Sequence, residues 1–185
     1  MADSADFSAV AQRYTRTAAL LHWTIAVLII VNLAAGFFAS SVESAIEPFV
    51  MNAHKVIGIS VLALSVVRLG WRLTHRAPPL PDHVSTIERW SAGIVHFALY
   101  VLMIAMPFSG WLVTSSFPKR HAIDAGIFVI PFLPVTPDKA MAFLAHDAHS
   151  FMAWAMIALV LGHVMAALRH QWVLKDGLLA RLSAS

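Results

Sequence analysis

Residues 146–170, HDAHSFMAWAMIALVLGHVMAALRH, constrain this chain more than any other stretch. From Ser150 to Leu168 there is no Asp, Glu, Lys or Arg. An uncharged run of that length crosses the roughly 30 Å hydrocarbon core of a bilayer as an α-helix. His149 and His163 stand fourteen residues apart in the sequence. At about 100° and 1.5 Å per residue, they lie roughly 40° apart around the helix and about 21 Å apart along it. One helix face therefore offers an imidazole near each membrane surface. An ionisable group inside a span is costly and reads as functional when partners can be named.

Composition supports a membrane setting for the whole chain. Only 12% of the 185 residues are charged, about half of what a soluble domain carries. The expected class is an all-α membrane protein, with residues 1–185 forming one domain. Ten histidines stand in this apolar background, and there is no cysteine. The lack of cysteine excludes disulfides, thiolate-held iron–sulfur clusters and covalent attachment of c-type haem. A redox centre here is held non-covalently, by histidine.

The apolar runs predict four spans, at about 18–40, 54–73, 90–114 and 146–170. A polar tail of mixed charge (Asp3, Asp6, Arg13, Arg16) precedes the first. That run is longer than the apolar region of a signal peptide, so it reads as a span. RAPPLPDH interrupts the helices after the second span, because proline lacks an amide donor and restricts its predecessor. Pro107 lies inside the third span, where neighbouring helices can satisfy the freed carbonyl. The connection 115–145 holds IFVIPFLPVTP, too short and too rich in proline to span, and is expected to lie against the outer surface. WVLKDGLLARLSAS forms a tail. Arg13, Arg16, Arg68, Arg72, Arg76, Arg89, Arg169, Lys175 and Arg181 fall on one side; Lys55, Lys119, Arg120 and Lys139 fall on the other. The positive-inside rule then places both termini in the cytoplasm of a cell bounded by an inner membrane. Trp23, Trp71, Trp90, Trp111 and Trp172 fall near span ends, as an aromatic belt requires.

Depth can be compared between helices. His22 lies six residues inside Arg16, and His163 six residues inside Arg169, so both sit about 9 Å beyond the inner charged ring. His54 opens the second span where His149 opens the fourth. Two pairs follow, His22 with His163 and His54 with His149, placed as cofactor ligands are placed between facing helices of a bundle. The chemistry they suggest is bis-imidazole ligation of haem iron, twice, with two haem b stacked across the membrane. With both axial positions filled, electron transfer is favoured over oxygen chemistry. Gly58 and Gly162 are candidates for leaving room beside a flat macrocycle. A tetrahedral zinc site needs a tight cluster, which pairs so far apart do not make. A non-redox four-helix scaffold or metal carrier, with interhelical histidine hydrogen bonds, is the alternative of another class.

The remaining polar groups have less defined roles. His96 lies seven residues inside Arg89, near the level of His22 and His163. It is either a ligand displacing one of them or a neighbour bonding a propionate or a quinone oxygen. The neighbour role is preferred, because the fourth helix already supplies one ligand to each level. Arg68 is a candidate partner for haem propionates, with snorkelling to the interface as the alternative. Asn32 suggests an interhelical hydrogen bond. His146 is expected at the interface, His170 outside the arginine ring, and His75, His83 and His121 in loops. Lys55, Lys119, Arg120 and Lys139 suggest a cationic mouth on the outer side, against the alternative of incidental loop charge.

The chain resembles the bacterial cytochrome b561 family of four-helix dihaem membrane proteins. The resemblance rests on RYTRTAALLHW, HKVIGISVLALSVVRLGWR, HFALYVLMIAMPFSGW and HSFMAWAMIALVLGHVMAALRHQWVLKDGLLARL. It implies the same ligand pairs, His22 with His163 for the inner haem and His54 with His149 for the outer. It also implies exchange with the ubiquinone pool and an oxidoreductase activity. The expected function is electron transfer between a periplasmic small-molecule donor, superoxide first, and membrane ubiquinone, with membrane lipid as a further partner, a dehydrogenase as a candidate one, and no nucleic-acid partner. The alternative is a quinone-reactive membrane anchor for a periplasmic dehydrogenase or hydrogenase. SSFPKRHAIDAGIFVIPFLPVTPDKAM matches the family only loosely.

Overall fold

A computed structural model describes residues 13–75, 77–79 and 84–182. The first twelve residues, with Asp3 and Asp6, lie outside them, as do Arg76 and His83. Four long helices run α1 (Arg16–Phe38), α2 (Glu47–Thr74), α3 (Thr86–Ser116) and α4 (Lys139–Leu168), and α4 continues through a π-helical turn, Arg169–Leu174. Each is long and apolar enough to cross a membrane. The expected four-span bundle is the fold of this chain.

Local chemistry explains the ends. Thr15 caps α1, its Oγ1 accepting from the Ala18 amide at 3.2 Å. Ser85 and Glu88 form a reciprocal capping box on α3, which satisfies two amides that have no helical partner. Pro107 stays inside α3. The second and fourth helices begin at Glu47 and Lys139, seven residues ahead of their predicted spans. The apolar run marks where a helix leaves hydrocarbon, not where it stops. A helix of 30 residues is about 45 Å long, well beyond the roughly 30 Å core. Its first turns stand in the interface, where Asp138 caps them through a 2.7 Å bond from the Met141 amide.

Successive helices are the closely packed pairs, α1 on α2, α2 on α3 and α3 on α4. The backbone of α4 keeps further from α1 and α2. The buried core lies at mid-height and takes Ile25 and Ile29 from α1, Val61 from α2, Met103 and Met106 from α3, and Met156 from α4. Met156 is fully buried and stands seven residues from both His149 and His163. The core is thus a layer between two histidine levels.

The two ends of the bundle differ. At the terminal side the first and last described residues come together: the Tyr14 amide donates to the Arg181 carbonyl at 3.0 Å. Trp23 Nε1 donates to the Leu182 carbonyl, and Trp71 Nε1 to Thr15 Oγ1, both at 3.1 Å. At the opposite side the long connection is braced by a short antiparallel hairpin, β1 (Ile123–Asp124) on β2 (Val129–Ile130). Hydropathy alone did not suggest it. It turns at Gly126, whose φ of 82° is open to glycine at little cost. The Asn52 side chain grips Asp124 twice, donating to its carbonyl at 2.8 Å and accepting from its amide at 3.1 Å. The hairpin is thereby pinned to the turn of α2 that carries His54.

Candidate haem-binding site

The histidines of the two levels face one another across the separations that α4 keeps. His22 and His163 have ring centres 6.2 Å apart and planes at 70°. His54 and His149 have ring centres 6.1 Å apart and planes at 85°. An iron held between two imidazole nitrogens sets ring centres about 6 Å apart, given metal–nitrogen bonds of about 2 Å and about 1 Å from nitrogen to ring centre. Both spacings fit. The structure brings together the four histidines in the pairs read from depth.

Tautomers at the hairpin side reinforce the fit. His54 Nδ1 donates to the Asn32 main-chain carbonyl at 3.0 Å. His149 Nδ1 donates to the Met106 carbonyl at 2.9 Å and lies 3.0 Å from Ser109 Oγ. With Nδ1 protonated and bonded, the Nε2 lone pair is left for a metal. Histidine ligands are oriented and made more basic in this way.

The terminal side is built differently. His96 lies 5.4 Å from His163, ring centre to ring centre, closer than an intervening iron allows. It is a third imidazole at the edge of a pair. Arg68 Nε donates to the Tyr100 hydroxyl at 3.1 Å, and its guanidinium sits 5.8 Å from that ring's centre. Tyr100 follows His96 by one turn of α3, so Arg68, His96 and Tyr100 gather beside the pair. Among the described residues, His22, His96 and His163 make no hydrogen bond.

The remaining polar residues and glycines take varied places in the structure. Asn32 does form an interhelical bond, but through its main chain; its side-chain oxygen is buried with no protein partner among the described residues. A methyl added to Gly162 would meet nothing within 4 Å, and one on Gly58 would meet Asn32 Nδ2 at 3.5 Å. Arg120 belongs to its own loop, with Nη1 donating to the Ser115 carbonyl at 3.1 Å and the guanidinium 4.6 Å from the Phe132 ring. Lys119 and Lys139 remain exposed. His146 is exposed beside Asp147, and His121 is exposed. His75 stacks on Trp71 at 3.8 Å. His170 is less solvated than its position suggested, since its Nδ1 lies 2.5 Å from Asp176 Oδ2 and clasps the C-terminal turn. Sequence reasoning missed Tyr100, Ser109 and the carbonyls of Asn32 and Met106. The i, i+4 spacing of His96 and Tyr100 was the one available signal.

Paired imidazoles at iron-bridging distance, carried by three helices of a four-span bundle, define a class: a helical membrane cytochrome. The comparisons then narrow the class. The chain matches the prokaryotic cytochrome b561 family over residues 13–183 and belongs to that family. It is 31% identical to cytochrome b561 homolog 2 of Escherichia coli K12 over 180 residues, which cover 95% of this chain and 94% of the relative. It is 30% identical to cytochrome b562 of Cereibacter sphaeroides, across 91% of this chain and 94% of that one. A probable superoxide oxidase of Yersinia pestis is 26% identical over 88% of this chain and 90% of its own length. Membership makes this a membrane electron-transfer protein of b-type haem.

Proposed function

We propose that the chain is a dihaem carrier that moves electrons between a periplasmic small-molecule donor and membrane ubiquinone. His22 and His163 hold one haem at the terminal side; His54 and His149 hold the other at the hairpin side. Bound there, b-type haem supplies a one-electron iron couple. The observation that carries this reading is the pair of spacings, 6.2 and 6.1 Å, at two depths on one stripe of α4. The excess of Lys and Arg on the terminal side supports a cytoplasmic position for it in a bacterial inner membrane.

The residues then divide the work. His54 and His149 present Nε2 with Nδ1 fixed to backbone carbonyls. His96 and Arg68 place donors beside the terminal-side pair, where they can bond carboxylate propionates or a quinone oxygen. Superoxide is the donor to test first, and the likeness to a probable superoxide oxidase supports it. In the overall reaction two superoxide anions each lose one electron, giving two O₂, and ubiquinone gains both electrons with two protons. A pyridine haemochrome assay should give two b haems per chain, six-coordinate and low-spin. A pulse of superoxide should reduce them, and superoxide dismutase should suppress that reduction. One haem per chain would sink the pairing; an unsuppressed or absent reduction would remove superoxide as donor.

A further inference from the structure

Two glycines lie against the hairpin-side imidazoles. A Cβ built on Gly36 of α1 would stand 2.8 Å from His54 Cε1 and 3.1 Å from its Nδ1. A Cβ built on Gly110 of α3 would stand 3.0 Å from His149 Cε1 and 3.2 Å from its Nδ1. The approach at Gly36 is closer than real side chains make, that at Gly110 is tighter than most, and each ring resists retreat because it is tied through Nδ1 to a carbonyl.

The two environments share one pattern. His54 bonds the carbonyl of Asn32, four residues before Gly36. His149 bonds the carbonyl of Met106, four residues before Gly110. In an α-helix the carbonyl of residue i already accepts from the amide of residue i+4. A second lone-pair direction can take a side chain from the next helix, provided residue i+4 carries no Cβ in the way; at Met106 the Ser109 hydroxyl shares the carbonyl, donating to it at 2.7 Å. Glycine there opens the approach. One helix of each pair, α1 for α2 and α3 for α4, thus presents the same carbonyl-and-glycine cradle, although the sequences around them, NLAAG and MPFSG, differ.

We propose that Gly36 and Gly110 are positioning residues for the hairpin-side ligands, each admitting an imidazole to the main-chain carbonyl one turn earlier. The proposal rests on the assignment of His54 and His149 as ligands. The cradle orients each ring and, through the Nδ1 bond, raises the basicity of Nε2. A more basic ligand favours ferric iron, so the cradle holds the potential of that haem down.

The test uses Gly36→Ala and Gly110→Ala in the full-length holoprotein, with Gly93→Ala as control because a Cβ there meets nothing within 4 Å. Alanine favours a helix over glycine, so a loss cannot be ascribed to helix propensity. Each variant should alter the low-spin electron paramagnetic resonance signal of one haem, the same one in both, and move its midpoint potential upward. That signal should be the one that His54→Ala removes. If either variant fails to accumulate, the doubles Gly36→Ala/His54→Ala and Gly110→Ala/His149→Ala decide. Removing the ring that the methyl meets should restore accumulation to the level of the histidine variant alone. Unchanged signals in both glycine variants overturn the proposal, as do doubles worse than their histidine singles. Retention of both haems in His54→Ala and His149→Ala instead overturns the ligand assignment, and the doubles still report on the close approach.

Discussion

The hairpin-side pair and the terminal-side pair have nearly the same spacing, and they are held in different ways. His54 and His149 are fixed by main-chain carbonyls of neighbouring helices, which depend on no side-chain identity there beyond the glycines that admit the rings. His22 and His163 have no such bond among the described residues. They sit instead beside Arg68, His96 and Tyr100, side chains that offer hydrogen-bond donors to a bound group. The contrast bears on the proposed function, in which a one-electron donor reaches the hairpin side and a two-electron, two-proton acceptor the terminal side.

The largest effects separate the levels outright. His54→Ala or His149→Ala should abolish the hairpin-side haem and leave the other spectrum intact. His22→Ala or His163→Ala should do the reverse, with haem content falling from two to one per chain. If any single variant loses both haems, the levels are not independent and the contrast fails.

Met156 lies fully buried between the levels, so truncating it should affect both. Met156→Ala opens a cavity worth about 2–5 kcal/mol in a well-packed core. It should speed thermal loss of both haems to similar degrees. Selective loss of one would assign the core layer to that site alone.

His96→Ala sharpens the contrast at the terminal side. Two low-spin haems should remain, with only the terminal-side potential or its rate of quinone exchange changed. Recovery of one haem per chain from His96→Ala, and of two from His22→Ala, would make His96 the ligand.

The smallest effect concerns the approach of an anionic donor to the hairpin side. Lys119 and Lys139 are exposed there, whereas Arg120 is engaged with Ser115 and Phe132. Reduction by superoxide should slow with ionic strength. Lys119→Ala/Lys139→Ala should lower its rate by up to about tenfold, the low end of electrostatic steering. A flat salt profile and an unaffected double variant would leave these lysines as incidental loop charge.

The spans and the depth of each histidine were legible from the sequence because both follow from one-dimensional quantities. Hydrocarbon thickness sets the length of an apolar run, and helical rise converts residue number into height. Charged residues at the span ends supply a common origin that matches His22 with His163, and the starts of the second and fourth spans match His54 with His149. Helix ends are less legible: Glu47 and Lys139 carry charge that marks the interface, yet the helices begin at them. Between His96 and His22 height gives no distinction, and the preference for His22 rests on a count of ligands per level; the rings differ in their distance from His163, 5.4 against 6.2 Å. The hairpin depends on Asn52 meeting Asp124 across 72 residues, and no local pattern encodes that.

By itself, then, the sequence determined that the chain crosses the membrane four times, and at what heights its imidazoles stand, since bilayer and helix impose fixed lengths. Only the tertiary structure decided what holds each ring. The partners of His54 and His149 are main-chain carbonyls, which every residue carries and which acquire a direction only when helices pack. Gly36 and Gly110 matter for the side chain they lack, and what that vacancy admits depends on which ring the neighbouring helix brings to it.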